Sequence, residues 1–557
     1  MEVVMDSSLR RLVNRRLEWL EMTKDQVSDW NAGTTRRRDR LSALPNTVLF
    51  RILSKMPMDS VVRTSILSKR WSNLWKHTQG VDFHSLPFSD NQADYSPITR
   101  CLELLLSPQI IKFTTVGHVS ERSNPDVQRW VNFALSKNVR QLTIGLMSVS
   151  LARRFFQLPD SLFSNRSKIL EHLVLSFVDF KPPRPGQPIA ASVFSSLKLL
   201  VLTNCKLADA TVDLCLRKCV PLEELVINMC EGLKNVNISG PNLRLISFRC
   251  LEDSDDGEFR SLRVDAPLVG NLVYSGDLTK FYLNNCPVLQ ILHLQGREEP
   301  MNEAYTVHVR ELIDQIRHVN TMILNFAVVE FVAKEYYTRG IPFQTFQNLT
   351  HVFWYGPLKS PNAVYNLVAF LGDSPSLIEI AVDFRGESGA VFCQCISEGH
   401  VADEYEEGES SQRNPYEVGN LEKLEIAEVR CFSGFDGEML LVRLLLEKAV
   451  NLRKLWLFWR LGDLSVMHDN VLQDITKSGY PQQLSDTIQE EANSIIATIL
   501  NFRKASPRVR IKFGQEWRIE SWWLLFNSLI TCCQINQCLI LTNIYSVYDF
   551  RRRHFGD

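Results

Sequence analysis

Apolar residues recur in one repeated pattern along most of the chain, from about residue 139 onwards. Each unit has an apolar residue, two variable residues, an apolar residue, one variable residue and a third apolar residue. In the first run the units begin 31, 27, 25 and 21 residues apart, close to the period of a leucine-rich repeat. The end of each unit predicts a short strand with two inward side chains, and stacked units predict a solenoid. The units are Val139/Leu142/Ile144, Leu170/Leu173/Leu175, Leu197/Leu200/Leu202, Leu222/Leu225/Ile227, Leu243/Ile246/Phe248, Leu289/Leu292/Leu294, Val319/Met322/Leu324, Leu349/Val352/Trp354, Leu377/Ile380/Val382, Leu421/Leu424/Ile426 and Leu452/Leu455/Leu457.

Asparagine and cysteine residues follow several of these predicted strands. Leucine-rich repeats place a buried polar residue at this point of each turn. We expect these side chains either to hydrogen-bond the turning backbone or to fill space there. The examples are Thr203-Asn204-Cys205, Asn228-Met229-Cys230 and Asn284-Asn285-Cys286.

Residues 39–77 have a helical pattern instead and predict three short helices. Pro45 suits the first turn of a helix, and Pro57 is expected to end that helix. Asp59 and Ser68 are candidate caps of the second and third helices. About 40 residues cannot bury this much apolar surface alone, so the module is expected to need a partner. The first helix carries one broad apolar stripe, the second has four predicted inner positions, and the third carries its large apolar residues on one side: Val48, Leu49, Ile52, Leu53 and Met56, then Val61, Val62, Ser65 and Ile66, then Trp71, Leu74 and Trp75.

Four segments lack both patterns. Residues 1–38 are polar and basic and predict a mobile extension, whereas the acidic, turn-rich residues 401–416 predict an exposed loop. Residues 460–493 lose the repeat and predict a loop that leads into a helix near 485–500. Residues 515–557 stay unassigned. Amide side chains interrupt the apolar run in this tail, which favours a buried or poorly folded segment over a membrane segment.

The charge balance and the cysteines narrow the class of protein. The 557 residues carry 62 Lys and Arg against 63 Asp and Glu, which gives no global attraction to nucleic acid or to an anionic membrane. The 13 cysteines follow no framework spacing, and the N-terminus does not resemble a secretory signal. We therefore expect a reducing compartment, the nucleus and/or the cytoplasm. Arg36, Arg37 and Arg38 end a basic run that fits a plain extension or a nuclear-import signal.

Residue sets with catalytic or metal-binding spacing are not apparent in the sequence. Cys393 and Cys395 lack a second pair or nearby histidines, and Cys532, Cys533 and Cys538 do not form a zinc pattern either. The 11 histidines are dispersed, and the chain has no phosphate-binding loop or nucleophile elbow. We therefore predict a non-enzymatic protein, without catalytic residues, cofactor or metal.

The helical module resembles the F-box of the plant F-box, leucine-rich-repeat and FBD proteins. The resemblance covers residues 39–85, and the repeat region and the segments 421–457 and 495–513 resemble the same family's repeats and FBD segment. The matching pieces of the F-box are Asp39-Arg40-Leu41-Ser42, Leu44-Pro45, Ile52-Leu53-Ser54, Val61-Val62-Arg63-Thr64-Ser65, Leu67-Ser68-Lys69-Arg70-Trp71 and Leu74-Trp75.

This resemblance implies an α/β fold, with a short three-helix F-box followed by a leucine-rich-repeat solenoid and an FBD-like C-terminal segment. The domains it implies are a basic extension at 1–38, the F-box at 39–85, the solenoid at 98–400, an acidic loop at 401–416, and an FBD-like segment at 417–514 with an insertion at 460–493, before the unassigned tail.

The resemblance also implies a substrate-recognition subunit of an SCF (Skp, cullin, F-box) ubiquitin ligase. Its partners would be a Skp-family adaptor, through it the cullin and RING subunits, and an unknown target protein, with no nucleic acid and no membrane. Two alternatives stay open: a repeat scaffold that does not assemble a ligase, and an enzyme within residues 400–557. The residues implied for the adaptor face or its support are Leu44, Pro45, Val48, Ile52, Leu53, Val61, Leu67 and Trp71. The repeat pattern places Gln141, Thr143, His172, Val174, Leu199, Val201, Glu224 and Val226 on the strand face as candidate target-binding residues.

Overall fold

The computed structural model of the chain describes residues 41, 44–86, 95–119, 124–148, 155–164, 169–181, 194–250, 259–296, 311–329, 346–356, 361–384, 419–459 and 493–514. The chain divides into two compact units. Unit one comprises residues 1–236 and 253–259, and unit two comprises residues 237–252 and 260–557.

Three short helices open unit one, as the sequence predicts: α1 (Asn46–Leu53), α2 (Met58–Arg63) and α3 (Trp71–Leu74), with 3-10 turns at 64–66 and 75–77. Three details of the prediction are wrong. Asp59 lies inside the first turn of α2 and does not cap it. Pro45 and Pro57 each immediately precede a helix, so Pro57 introduces α2 and does not end α1. Arg70, not Ser68, directly precedes α3. Both proline positions suit a residue whose ring fixes φ and whose missing N–H would have no partner in the first turn.

Parallel strands follow the helices in unit one. The strands β1, β2, β3, β5, β7 and β8 lie side by side in that order, each hydrogen-bonded in parallel to the next. Their inward leucines are in register and almost completely buried, for example Leu142, Leu173, Leu200 and Leu225. The bounds are β1 (Gly80–Leu86), β2 (Lys112–Val119), β3 (Gln141–Ser148), β4 (Phe156–Gln157), β5 (His172–Ser176), β6 (Val178–Asp179), β7 (Leu199–Thr203) and β8 (Glu224–Asn228), with the helices α4 (Ser96–Glu103), α5 (Asn124–Ser136), α6 (Ser161–Ser164) and α7 (Asp209–Lys218).

Unit two repeats the same construction. Its main strands are parallel in the order β10, β12, β14, β15, β16, β17, β18, β19 and β20. The predicted α/β architecture, helices followed by stacked parallel strands, is therefore confirmed. The bounds are β10 (Leu245–Arg249), β11 (Ser261–Asp265), β12 (Asn271–Ser275), β13 (Phe281–Leu283), β14 (Ile291–Gln295), β15 (Thr321–Asn325), β16 (His351–Tyr355), β17 (Glu379–Asp383), β18 (Ile426–Phe432), β19 (Lys454–Trp459) and β20 (Arg510–Gly514), with α8 (Pro361–Gly372) and α9 (Asp436–Lys448). β9 (Asn235–Ser239) follows β8 in the chain.

The register of one predicted repeat is wrong. Ala427 and Val429 of β18 lie opposite Ile380 and Val382, so they are the inward residues of this strand. Ile426, which the pattern placed inward, lies on the other face and is only half-buried. A run of spaced leucines before the strand concealed the true register, because alanine is a weak signal of an inward position. The pattern also missed β12, whose inward residues are Leu272 and Tyr274.

The residue after each of several strands turns the chain by adopting a left-handed conformation. Asn204 follows β7 with φ 49°, and Met229 follows β8 with φ 51°. The next residue in each case is a buried cysteine. The thiol of Cys205 donates to the carbonyl of Leu175 at 3.4 Å, and the thiol of Cys230 donates to the carbonyl of Leu202 at the same distance. At these two positions the predicted hydrogen bond to the turning backbone is confirmed.

Several predicted segments lie outside the described residues, namely 1–38, 401–416, most of 460–493, and 515–557. Of the helix predicted near 485–500, residues 493–501 are described, and they are helical. Within the described ranges, none of the helices has the length and apolar character needed to cross a membrane.

Candidate functional site

The first helix keeps one pair of apolar side chains on the surface. Leu49 and Leu53 lie four residues apart on one side of α1 and are fully buried. Val48 and Ile52 have the same spacing on the next side, and their side chains are 39% and 37% exposed. The apolar stripe of α1 is therefore wider than the face that the module buries. Val48 and Ile52 remain in contact with solvent, as does Pro45.

The turn after α2 exposes two larger apolar side chains. Ile66 is 67% exposed and Leu67 is 61% exposed. The sequence assigned Ile66 to the inner face of the second helix, and that prediction is wrong because residues 64–66 form a 3-10 turn that rotates Ile66 outward. Arg70 ties this turn to the start of α1, since its guanidinium donates to the carbonyl of Leu44 at 2.6 Å and to the side-chain oxygen of Asn46 at 2.7 Å.

These side chains make up what we call the apolar surface of the helical module. The described residues expose fourteen large hydrophobic side chains, and five of them fall between residues 41 and 67. Such a concentration in one short module is the usual mark of a surface that binds another protein. The apolar surface comprises Leu41, Pro45, Val48, Ile52, Ile66 and Leu67.

Three of the residues implied for adaptor binding lie beneath this surface. Leu53 and Val61 are fully buried and Trp71 is 3% exposed, so they form the core of the module and support the surface from inside. Leu44 is half-buried. Contact by Ile66 was not predicted from the sequence, although contact by its neighbour Leu67 was.

The helical module is joined to the first strands of unit one by a compact set of hydrogen bonds. The hydroxyl of Ser54, at the end of α1, lies 3.2 Å from the hydroxyl of Thr78 and accepts the backbone N–H of Gln79 at 3.0 Å. The carbonyl of Lys76 accepts the N–H of Leu106 at 2.7 Å, and that of Gln79 accepts the N–H of Ile111 at 2.8 Å. These hydrogen bonds, which range from part-buried to exposed, attach the helical module to β1 and β2 through backbone and side chain together.

The module is also basic. Residues 44–79 contain six Lys and Arg residues and one acidic residue, Asp59. Asp59 pairs with Arg63 at 3.7 Å. Arg51, Lys55 and Lys69 are exposed. The chemistry of the module therefore fits a partner with an apolar groove and an acidic surround.

The predicted target-binding residues lie in two rows across four strands of unit one. Gln141, His172, Leu199 and Glu224 are in register, and so are Thr143, Val174, Val201 and Val226. Members of the second row are at most 3% exposed, and Leu199 is 4% exposed, so these five side chains offer almost no surface for contact. Gln141, His172 and Glu224 are half-buried and remain reachable on this face.

His172 is the polar centre of the first row. Burial lowers its pKa from the ordinary value of 6.5, and Lys198 acts in the same direction. The carboxylates of Glu171 and Glu224 oppose this shift by favouring the charged ring. Burial is the larger effect, so the ring is neutral at pH 7 and can donate or accept a hydrogen bond there.

A metal site needs several ligand side chains close together. Within them, no group of three or more His, Cys, Asp or Glu side chains is arranged to hold a metal ion. The cysteines that the sequence analysis considered as metal ligands, Cys393, Cys395, Cys532, Cys533 and Cys538, lie outside the described residues.

Two protein-family profiles match the chain in the order that the structure suggests. Residues 41–79, the helical module, match the F-box domain. Residues 108–499, more than half of the chain, match the family described as At1g61320/AtMIF1, LRR domain. An F-box followed by parallel-strand repeats defines an F-box protein with leucine-rich repeats. The chain belongs to this family of plant-type F-box/LRR-repeat proteins, as its resemblance to them predicted.

Relatives from Arabidopsis thaliana carry the same combination in their names. The chain is 31% identical to F-box/LRR-repeat protein At3g03360 over 207 residues, which cover 36% of this chain and 40% of the relative. It is 27% identical to F-box/LRR-repeat protein 13 over 277 residues, 48% of this chain and 58% of the relative. It is 26% identical to F-box/FBD/LRR-repeat protein At3g52680 over 335 residues, 57% of this chain and 69% of the relative. The matched segments of the first two therefore span about half of the length of those proteins, 40% and 58% respectively.

Proposed function

We propose that this protein is the substrate-recognition subunit of an SCF ubiquitin ligase. The observation that carries the proposal is the apolar surface on the F-box, with Val48, Ile52, Ile66 and Leu67 left in solvent above a buried core. F-box domains generally bind Skp-family adaptors, and an adaptor groove would remove this surface from water. Burial of apolar area contributes about 25 cal/mol per Å², so these side chains are suitable anchors for a stable complex.

The mechanism that follows is catalysis by proximity. The adaptor links the F-box to the cullin and RING subunits, while the repeats hold a target protein beside the ubiquitin carrier. The receptor supplies no reacting group. Its contribution is the high effective concentration of the target and a fixed geometry, which the junction at Ser54 and Thr78 supports. We also propose that the protein is located in the nucleus and/or the cytoplasm, where it would bind the other ligase subunits.

Co-expression with a Skp-family adaptor tests the proposal. The full chain is purified with the adaptor, and the two proteins are expected to co-elute from size exclusion. The Leu44→Ala/Pro45→Ala variant is expected to lose the complex, because these residues immediately precede α1 at the edge of the apolar surface. Addition of cullin and RING subunits should then shift the wild-type complex to a larger size.

The alternative, a repeat scaffold that does not assemble a ligase, has its own outcome in this experiment. Folded, soluble chain that does not bind any of a panel of Skp-family adaptors would overturn the ligase proposal and support the scaffold. A complex with the adaptor that does not recruit the cullin would have the same consequence.

A further inference from the structure

The last two strands of unit two within the described residues carry three exposed cations on one face. Lys454 of β19 lies in register with Arg510 of β20, and Trp456 lies in register with Lys512. Successive residues of a strand point to opposite faces of a sheet, and the leucines between these positions on β19 are fully buried. Lys454, Trp456, Phe458, Arg510 and Lys512 therefore share the opposite face, which we call the basic face.

The three cations of the basic face have no carboxylate partner within the described part of the chain, and all three are exposed. Carboxylates on the neighbouring strand are already engaged. Glu428, in register with Trp456, receives the guanidinium of Arg430 at 2.7 Å, and Glu425 receives that of Arg453 at 3.1 Å. Like charges directly across neighbouring strands destabilise a sheet. Among the described residues, Lys454 and Arg510 therefore lie side by side as like charges, and a bound anion would relieve their repulsion.

Two aromatic rings complete this face, and their arrangement bears on the kind of anion. The ammonium of Lys454 lies 5.5 Å from the centre of the Trp456 ring and covers one face of it. The rings of Trp456 and Phe458 are 6.5 Å apart and nearly perpendicular, at 81°. Single-stranded nucleic acid binds by stacking its bases on free ring faces, and these rings do not form such a platform. Carboxylates together with an apolar side chain suit the basic face better.

We propose that the basic face binds an acidic segment of a partner protein in an extended conformation. Acidic residues at alternate positions of an extended segment repeat every 6.6–6.8 Å or so, and Arg510 and Lys512 have this same spacing on β20. Carboxylates of the segment pair with Arg510, Lys512 and Lys454, and an apolar side chain packs on Phe458. This inference does not depend on adaptor binding by the F-box, which lies in the other unit.

Fluorescence anisotropy with a labelled peptide tests the inference on the full-length chain, free or as its adaptor complex. The probe is a fluorescein-labelled peptide of alternating Glu and Thr with one central Tyr, and its Gln counterpart is the uncharged control. We expect the Glu peptide to bind and the Gln peptide not to bind. Raising the ionic strength from about 0.05 M to about 0.3 M should weaken binding severalfold, because exposed charges are screened.

The Lys454→Gln/Lys512→Gln variant should bind the Glu peptide about tenfold more weakly, since charge-assisted hydrogen bonds are lost. A matched variant with the same change of charge elsewhere, Lys234→Gln/Lys423→Gln, should bind as the wild type does, because both of these lysines are exposed and neither belongs to β19 or β20. Thermal unfolding of the first variant should not occur at a lower temperature, because the substitution removes repulsion between like charges.

Three results would overturn the inference. They are no binding of the Glu peptide by the wild type, equal binding by wild type and Lys454→Gln/Lys512→Gln, and tighter binding of a labelled oligouridine with the same dependence on these lysines. The last result would assign the basic face to nucleic acid.

Discussion

Gly80 lies so close to Ser54 that a β-carbon on residue 80 would overlap the carbonyl group of Ser54. Ser54 directly follows α1 of the F-box, and Gly80 is the first residue of β1, so this contact joins the F-box to the repeats. Glycine is the one residue that allows two backbone segments to approach in this way. The bonds from Ser54 to Thr78 and Gln79 surround the same point.

A methyl group at this junction should therefore destabilise unit one. We expect Gly80→Ala to lower the free energy of unfolding by about 1–3 kcal/mol, because backbone must move to relieve the overlap. Thermal unfolding of the full chain measures the effect. Gly270→Ala is the control, since a β-carbon there would meet no atom within 4 Å. Equal melting temperatures for the two variants would show that the junction is not tightly packed.

Substitutions in the core of the F-box should lower its stability, whereas substitutions on its apolar surface should weaken adaptor binding without lowering stability. Trp71→Ala should cost about 3–5 kcal/mol of stability, because it empties a buried site. Leu67→Ala should change stability by less than about 0.5 kcal/mol, because its side chain is largely in solvent. Chemical denaturation and adaptor co-elution, measured side by side, check both. Loss of stability in Leu67→Ala would mean that this side chain packs against the protein itself.

The buried pair Glu428 and Arg430 should behave as a unit. Their side chains are each 7% exposed and lie 2.7 Å apart in an ion pair. Arg430→Met should cost about 3–5 kcal/mol, since it leaves a carboxylate buried without its partner. The double variant Glu428→Gln/Arg430→Met should recover most of that loss. Urea unfolding of the wild type, both single variants and the double variant measures the coupling, and additive effects would contradict it.

His172 should make the stability of unit one depend on pH. Its pKa is lowered in the folded protein, chiefly by burial. Its contribution to stability is therefore complete above the unfolded value of about 6.5 and is lost as the pH falls below that value, because the unfolded chain binds a proton more readily. When the pH is lowered from about 7.5 to about 5.5, the free energy of unfolding of the wild type should fall relative to that of His172→Gln. A pH-independent difference would contradict the assignment.

The repeats could be predicted because an inward leucine must recur with a period of two within each strand and once per repeat. This pattern located most strands, including β14 with Leu292 and Leu294. It failed at β18, where Ala427 is inward, since alanine gives little hydrophobic signal. The F-box helices were likewise visible in the pattern, whereas the exposure of Ile66 depends on a 3-10 turn that periodicity does not reveal.

The predicted target-binding rows show a further limit of sequence patterns. Alternation places Val174, Val201 and Val226 on the outer face correctly, since they are in register there. It cannot give their exposure, because each lies about 4.7–4.9 Å from its neighbours on adjacent strands and is buried in the folded chain. The basic face was missed for a related reason: Lys454 and Lys512 are distant in sequence, and only the pairing of β19 with β20 brings them together.

The affinity of the purified chain for a Skp-family adaptor tests the central claim most directly. Isothermal titration would compare the wild type with Ile66→Asp/Leu67→Asp and with a control, Leu268→Asp/Val288→Asp, which changes two exposed side chains of unit two. We predict that the first variant loses binding by at least about a hundredfold, on the order of the 2.7 kcal/mol expected for two hot-spot side chains, while the control binds normally. Unchanged affinity in a correctly folded Ile66→Asp/Leu67→Asp variant would contradict the account.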